Sequence, residues 1–126
     1  MLAVPDGALR VQTRLTSIGS VAGVPLRLTE ERWAHIAGGH PEMAGLREFV
    51  VLTLSDPDFL QAGDGGALLA IRLFPSTPLT RKHVVVPYRE MTEDDGFVIT
   101  AYLTSSPSRT REVVWTRSAS GRVRLP

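Results

Sequence analysis

The chain of 126 residues contains no cysteine, a single lysine and only 6% aromatic residues. Without cysteine, a disulfide framework and a thiolate metal site are both excluded. No apolar run approaches the roughly 18 residues that a membrane span needs. The N-terminal residues also lack the basic start and apolar stretch of a secretory signal. We therefore expect a cytoplasmic protein with no membrane segment.

Length and charge suggest an ordinary globular protein. Domains peak at roughly 100–150 residues, so we expect one domain over residues 1–126. Fourteen basic and 13 acidic residues give a formal net charge of +1, which argues neither for nor against a nucleic-acid partner. All basic residues except Lys82 are arginine. This bias reflects composition, so abundant arginine is a weak sign of phosphate binding.

Two helices are predicted in the first half of the chain. Thr29 is a suitable N-cap for the first helix, since acidic residues follow it in the first turn. Gly38-Gly39 weakens this helix, and His40-Pro41 is expected to end it. A second helix is predicted from Pro41 to Ser55. Its apolar stripe consists of Met43, Leu46, Val50 and Leu54.

Strand patterns dominate the rest of the sequence. Ser17–Gly23 is predicted as a loop and Pro25–Leu28 as a short extended lead-in. The predicted strands are Val11–Leu15, Phe59–Ala62, Ala67–Phe74, Arg81–Arg89, Phe97–Thr104 and Val113–Arg117. Short turns between strands favour antiparallel pairing. The predicted fold class is therefore α+β, with two N-terminal helices packed on a mostly antiparallel sheet of about four to five strands.

One predicted strand presents a row of hydroxyl groups. Thr100, Tyr102 and Thr104 share a face of Phe97–Thr104, each roughly 7 Å from the next. Such a row can hydrogen-bond a phosphate or a ribose. Threonine and tyrosine are also good strand formers, which explains the row without any ligand.

The first predicted helix carries Arg32, His35 and His40. Arg32 and His35 lie on one side, whereas His40 is about 140° around the axis unless Gly38-Gly39 lets it swing into the same cleft. A histidine pair can serve as general base and general acid near neutral pH, although each histidine also has a structural interpretation.

Competing kinds of site are disfavoured. The two histidines are five residues apart and the His-Glu-x-x-His pattern is absent, so we expect no metal and no cofactor. A Ser-His-Asp triad lacks its Gly-x-Ser-x-Gly elbow.

Several motifs in this order resemble one known family. They are Arg32-Trp33-Ala34-His35-Ile36, His40-Pro41-Glu42-Met43, Arg81-Lys82-His83 and Val98-Ile99-Thr100-Ala101-Tyr102-Leu103-Thr104. The sequence from Leu26 to Thr104 resembles the barnase–EndoU–colicin–RelE-like (BECR) nucleases, in particular their small phage- or mobile-element-associated branch. Leu103 departs from the pattern, since a proline is common at that position.

The resemblance implies metal-independent cleavage of RNA by attack of the ribose 2′-hydroxyl on the adjacent phosphate. His35 and His40 match the helix histidines, as base and acid. Arg32 and Lys82 would stabilise the transition-state charge, and Thr100, Tyr102 and Thr104 would position the phosphate. The implied protein is a toxin, an effector or a phage accessory protein that acts on RNA, with an immunity or antitoxin protein as a second partner.

Two alternatives stay open at this point. One is a catalytically inactive RNA- or protein-binding module on the same fold. The other is a structural protein bound to a partner, which an exposed apolar patch on the sheet would favour.

Overall fold

The computed structural model describes residues 15–77, 79–118 and 121–123. Within these ranges the chain forms two α-helices and one nine-stranded sheet that curls into a half-barrel. The helices are α1 (Glu30–Gly39) and α2 (Arg47–Ser55). The strands are β1 (Leu15–Gly19), β2 (Pro25–Thr29), β3 (Phe59–Ala62), β4 (Leu68–Thr77), β5 (Thr80–Thr92), β6 (Asp95–Val98), β7 (Tyr102–Thr104), β8 (Val113–Ser118) and β9 (Gly121–Val123). None of the helices in these ranges has the length and apolar character required to cross a membrane.

The strand order is β1-β2-β6-β5-β4-β3-β8-β9, and β7 pairs with β5. The ladders are antiparallel except for β2 with β6, where Leu26 faces Gly96. A parallel pair needs a long connection, which the two helices and strands β3 to β5 supply here. Because β2 and β6 run in the same direction, α1 starts beside the end of β6.

The predicted fold class is wrong. The sheet has nine strands instead of four to five, and β1 and β2 precede the helices, so the described chain is mostly β. Glycine and serine made Ser17–Gly23 resemble a loop, but Ser17–Gly19 completes β1. In β2, exposed Arg27 separates Leu26 and Leu28, which are 0% exposed. This alternation is too short to identify a strand by itself, and pairing with β1 and β6 makes it one.

The start of α1 is confirmed. The Thr29 hydroxyl accepts a hydrogen bond from the Arg32 N–H at 3.0 Å and so caps the helix. The helix runs through both glycines and ends at Gly39, because His40 precedes a proline and leaves the helical region. The second helix starts later than predicted, since Pro41–Met43 forms a separate 3-10 turn.

The two helices cover one side of the sheet, here called the helix-packed face. Its strand residues with at most 1% exposure are Leu26, Leu28, Ala70, Val84, Val86, Tyr88 and Val98. The predicted apolar stripe of the second helix packs against them, with Met43, Leu46, Val50 and Leu54 all buried. Complete burial of each such side chain stabilises the fold by about 1.5–3 kcal/mol.

The opposite side of the sheet is here called the far face. Its buried cluster is small: Leu69, Ile71 and Val85, with Phe59 and Tyr102 packed against it. Successive strand residues point to opposite sides, so β4 and β5 contribute to both faces.

The predicted strand Phe97–Thr104 is interrupted by one extra residue. Val98 pairs with Tyr88 and Tyr102 pairs with Val85. Three residues of one strand therefore lie opposite two residues of the other, which is a β-bulge. Since Tyr88 and Val85 occupy opposite faces, Val98 and Tyr102 do so too. A regular strand would have placed them on the same side.

The bulge changes the predicted row of hydroxyls. Tyr102 and Thr104 remain on the far face, opposite Val85 and His83 of β5. Thr100 lies inside the bulge, so the expected spacing of three hydroxyls on one face does not form.

Candidate functional site

The two histidines of the predicted site point to different sides of α1. The helix stays regular through Gly39, and the His40 N–H still donates to the Ile36 carbonyl at 2.8 Å. At about 100° per residue, five positions place His35 and His40 about 140° apart around the axis. The alternative in which Gly38-Gly39 breaks the helix and lets His40 swing toward His35 does not occur.

His40 lies where the end of α1 meets β7. Its ring centroid is 5.8 Å from that of Tyr102, with the planes inclined by 33°. Its Nδ1 is 3.5 Å from Oε2 of Glu42, and 41% of its side chain is exposed. A carboxylate beside Nδ1 leaves Nε2 as the nitrogen available for proton exchange, an arrangement suited to general acid–base chemistry.

His35 and Arg32 line a different depression on α1. It measures about 250 Å³ and also includes Thr29 and Glu31. An Arg32 Nη1 atom lies 3.5 Å from the carbonyl oxygen of Ile99, next to the bulge. Arg32 is thus close to the strand through the Ile99 backbone, whereas His35 is an exposed helix residue.

Lys82 sits on the helix-packed face. It pairs with Phe74, whose ring stacks on Phe49 of α2 at 4.5 Å between centroids. The Lys82 ammonium donates to the Ser105 hydroxyl at 2.6 Å, at the far end of β7. The strand β7 therefore separates this cation from Tyr102 and Thr104, which occupy the far face.

A small polar pocket lies on the far face, here called the β7 pocket. It encloses about 70 Å³. Its floor is the apolar trio Leu69, Ile71 and Val85. Its polar lining consists of Gln61, Tyr102, Thr104, Ser106, Ser108 and Arg111. Tyr102 belongs both to this pocket and to the contact with His40, so one side chain connects the two features.

Hydrogen bonds of side-chain hydroxyl groups stabilise the loop that follows β7 and lines the pocket. The Thr104 hydroxyl bonds both the N–H and the carbonyl of Ser106, at 3.2 and 3.1 Å. The Ser108 hydroxyl accepts from the N–H groups of Thr110 and Arg111. Such local bonds replace the backbone pairing that a strand would provide.

Gln61 connects this loop to the sheet. It is 3% exposed, and its Nε2 donates to the Ser108 carbonyl at 2.9 Å. That bond assigns the amide orientation, because a carbonyl can only accept. The remaining atom, Oε1, is buried and has no hydrogen-bond partner within residues 15–77, 79–118 and 121–123. An unpaired buried acceptor costs about 1–3 kcal/mol.

Arg111 supplies the positive charge of the pocket. Its guanidinium donates to both carboxylate oxygens of Asp64, at 3.2 and 3.4 Å, and to the Ala62 carbonyl. The hydrogen bond with Asp64 raises the pKa of Arg111 and lowers the pKa of Asp64. The Tyr102 phenol has a smaller electrostatic effect that also raises the pKa of Arg111. The two side chains are therefore close enough to interact.

Three residues of this region were not singled out by sequence reasoning. Glu42 could have been found, because it follows His40 by two positions within a motif already noted. Gln61 gave a weaker signal as a polar residue inside the apolar strand β3. Arg111 gave none, since one arginine in an arginine-rich loop is not distinctive.

No group of three or more His, Cys, Asp or Glu side chains in the described ranges could hold a metal ion. Comparison with protein-family models, with curated proteins and with solved structures finds no match.

Proposed function

We propose that the protein is a metal-independent endoribonuclease in which His40 is the general base. The observation that carries the proposal is an accessible imidazole held between Glu42 and Tyr102. RNA contains its own nucleophile, the 2′-hydroxyl. An enzyme that cleaves it needs a proton acceptor, a means of positioning the phosphate and stabilisation of the developing charge. The proposed substrate is cytoplasmic RNA.

In the proposed reaction the 2′ oxygen attacks the phosphorus while His40 accepts the hydroxyl proton. The bond between phosphorus and the 5′ oxygen then breaks, and the 5′ oxygen takes a proton from solvent. The products are a 2′,3′-cyclic phosphate and a 5′-hydroxyl. Tyr102 would position the substrate against His40, since the two rings are in contact.

Two cations flank the strand on which Tyr102 lies. The contacts of Arg32 and Lys82 within the described chain are to neutral oxygens, the Ile99 carbonyl and the Ser105 hydroxyl. These two contact residues are separated by at most about 20 Å of extended chain. An RNA backbone that passes both cations would therefore follow the helix-packed side of β7. In this proposal His35 assists Arg32 in backbone binding instead of transferring a proton.

A second candidate function is RNA binding without cleavage. It is favoured by the separation of the predicted site residues, because His35 points away from His40 and Lys82 lies on the other face of the sheet from Thr104. A pair of histidines arranged as base and acid is thus not assembled within α1.

Cleavage of total RNA in the presence of EDTA separates the two candidates. The assay covers roughly pH 5 to 8, the range in which imidazoles titrate, and the product ends are identified chemically. The endoribonuclease proposal expects fragments that end in 2′,3′-cyclic phosphate. It also expects His40→Ala to lower the rate about 10²–10⁴-fold.

The His40→Ala protein, purified in the same way, controls for contaminating nuclease. Equal cleavage by both proteins would assign the activity to a contaminant. If neither protein cleaves while both retard RNA in a gel, binding without catalysis is the better description.

A further inference from the structure

We propose that the β7 pocket binds the amino-bearing edge of a nucleobase, adenine or cytosine, in the nucleotide next to the cleaved phosphate. The inference rests on the proposed function for the identity of the polymer. The pocket residues that support it are Gln61, Tyr102 and Arg111.

Gln61 provides an unpartnered hydrogen-bond acceptor. This residue lines the pocket, and its Oε1 atom is buried and has no hydrogen-bond partner among the residues that the structure describes. Its amide cannot turn to exchange the two ends without losing the bond from Nε2 to the Ser108 carbonyl. The pocket therefore presents a fixed acceptor, which a ligand N–H group satisfies and a ligand carbonyl does not.

The walls of the pocket suit a nucleobase in shape and polarity. The Tyr102 ring and the apolar floor of Leu69, Ile71 and Val85 suit a flat, weakly polar ring. The pocket has a volume of about 70 Å³, and we expect this small space to take the edge of a base and not a whole nucleotide. The exposed serines of the loop leave the remainder of the nucleotide outside.

Arg111 adds a positive charge to the same pocket, because the guanidinium of an arginine is always protonated in a protein. The guanidinium of Arg111 would bind a phosphate, the flat apolar wall would contact a base, and the buried acceptor would bind an amino group of that base. One nucleotide carries all three groups. Tyr102 also contacts His40, so a nucleotide seated there has its phosphate within reach of the proposed base.

Cytidine and uridine monophosphates provide a matched test. They differ at position 4, where cytosine has an amino group and uracil a carbonyl. Titration of the whole protein, followed by NMR of the Gln61 side-chain amide, should show CMP binding about tenfold more tightly than UMP. Inorganic phosphate alone should leave the Gln61 amide signal in place.

Two variants identify the residue that causes the preference for CMP over UMP. Gln61→Met keeps the length of the side chain and removes the acceptor, so the ratio of CMP to UMP affinity should fall to about one. Arg111→Gln should weaken both nucleotides equally and leave their ratio unchanged. If Gln61→Met does not fold, the wild-type amide shift and the Arg111→Gln ratio decide the question.

Equal affinities of wild-type protein for CMP and UMP, or a CMP preference that persists in folded Gln61→Met, would overturn the inference. The titration measures binding and not cleavage. A protein that prefers CMP through Gln61 but leaves RNA intact therefore contradicts only the endoribonuclease proposal. A protein that cleaves RNA without this preference contradicts only the pocket.

Discussion

On the helix-packed face Leu26 and Leu28 are 0% exposed and pack with two helices, whereas the far face buries a cluster of three residues beside an amide, several hydroxyls and a guanidinium. Both faces share strands β4 and β5, so the difference comes from what covers them. The covered face is arranged for stability. The far face ends in Tyr102, the residue through which the polar pocket meets His40.

Truncation of a leucine on each face gives the largest expected effect. Leu28→Ala removes a 0%-exposed side chain from the helix-packed face and should lower the free energy of unfolding by about 3–5 kcal/mol. Leu73→Ala, on the far face and only half-buried, should cost less than half as much. Urea unfolding of both variants measures the contrast, and equal losses would contradict the unequal roles of the faces.

Close packing under the helix-packed face is tested at Gly96. A Cβ at this position would lie 2.6 Å from the Arg89 carbonyl oxygen and 2.7 Å from Leu26 Cδ2. Neither neighbour can move easily, since one is backbone and the other is a fully buried side chain. Gly96→Ala should therefore destabilise the protein by about 1–3 kcal/mol. A thermal melt that does not change would show that β2 and β6 have room to separate.

Burial of Tyr88 on the helix-packed face makes the stability of the protein depend on pH in alkaline solution. Burial, with a smaller effect of the Glu90 charge, raises the pKa of the Tyr88 phenol above its ordinary value of 10.0. The unfolded chain then loses this proton before the folded chain does. Stability is therefore unaffected by this group below pH 10 and falls above it by about 1.4 kcal/mol per pH unit.

Urea unfolding between about pH 9 and 11.5 measures this dependence. Tyr88→Phe removes the ionisable group and should show a flatter decline above pH 10. Parallel declines in the two proteins would assign the alkaline loss to other groups.

The smallest effect is expected on the far face, at the exposed Asp64. Arg111 lowers the pKa of this carboxyl through a hydrogen bond, so the ion pair contributes stability above the ordinary carboxyl pKa of 3.8. The contribution is lost as the pH falls through the lowered pKa. Asp64→Asn should lower the melting temperature slightly at pH 7 and not at all in strong acid. A difference that persists in acid would point to lost packing instead.

Local signals predicted the start of α1 and the strands β3, β4, β5 and β8. The cap at Thr29 and the apolar stripe from Met43 to Leu54 depend on neighbours within a few residues, so the sequence contains them. The extent of the sheet did not follow from local signals. β2 is a strand because of its partners β1 and β6, and no pattern within Pro25–Thr29 specifies that pairing.

Of the residues predicted for the site, the structure brings His40 and Tyr102 into contact. His35 and Lys82 lie elsewhere, in the depression on α1 and on the helix-packed face. The bulge at Thr100 and the regular helix through Gly39 determine which of the predicted residues face each other. These two features depend on the register of strand pairing and on tertiary packing, which local sequence patterns do not specify. Gln61 was not singled out from the sequence, because its distinguishing feature is the unpaired Oε1 atom, which is visible only in the structure.

The central claim is that His40, and not His35, exchanges the proton during RNA cleavage. Single-turnover cleavage of one labelled RNA by His40→Ala and His35→Ala measures it directly, since both variants remove an imidazole from the same helix. We predict a loss of about 10²–10⁴-fold for His40→Ala and of less than about tenfold for His35→Ala. Equal losses, or a larger loss for His35→Ala, would contradict it.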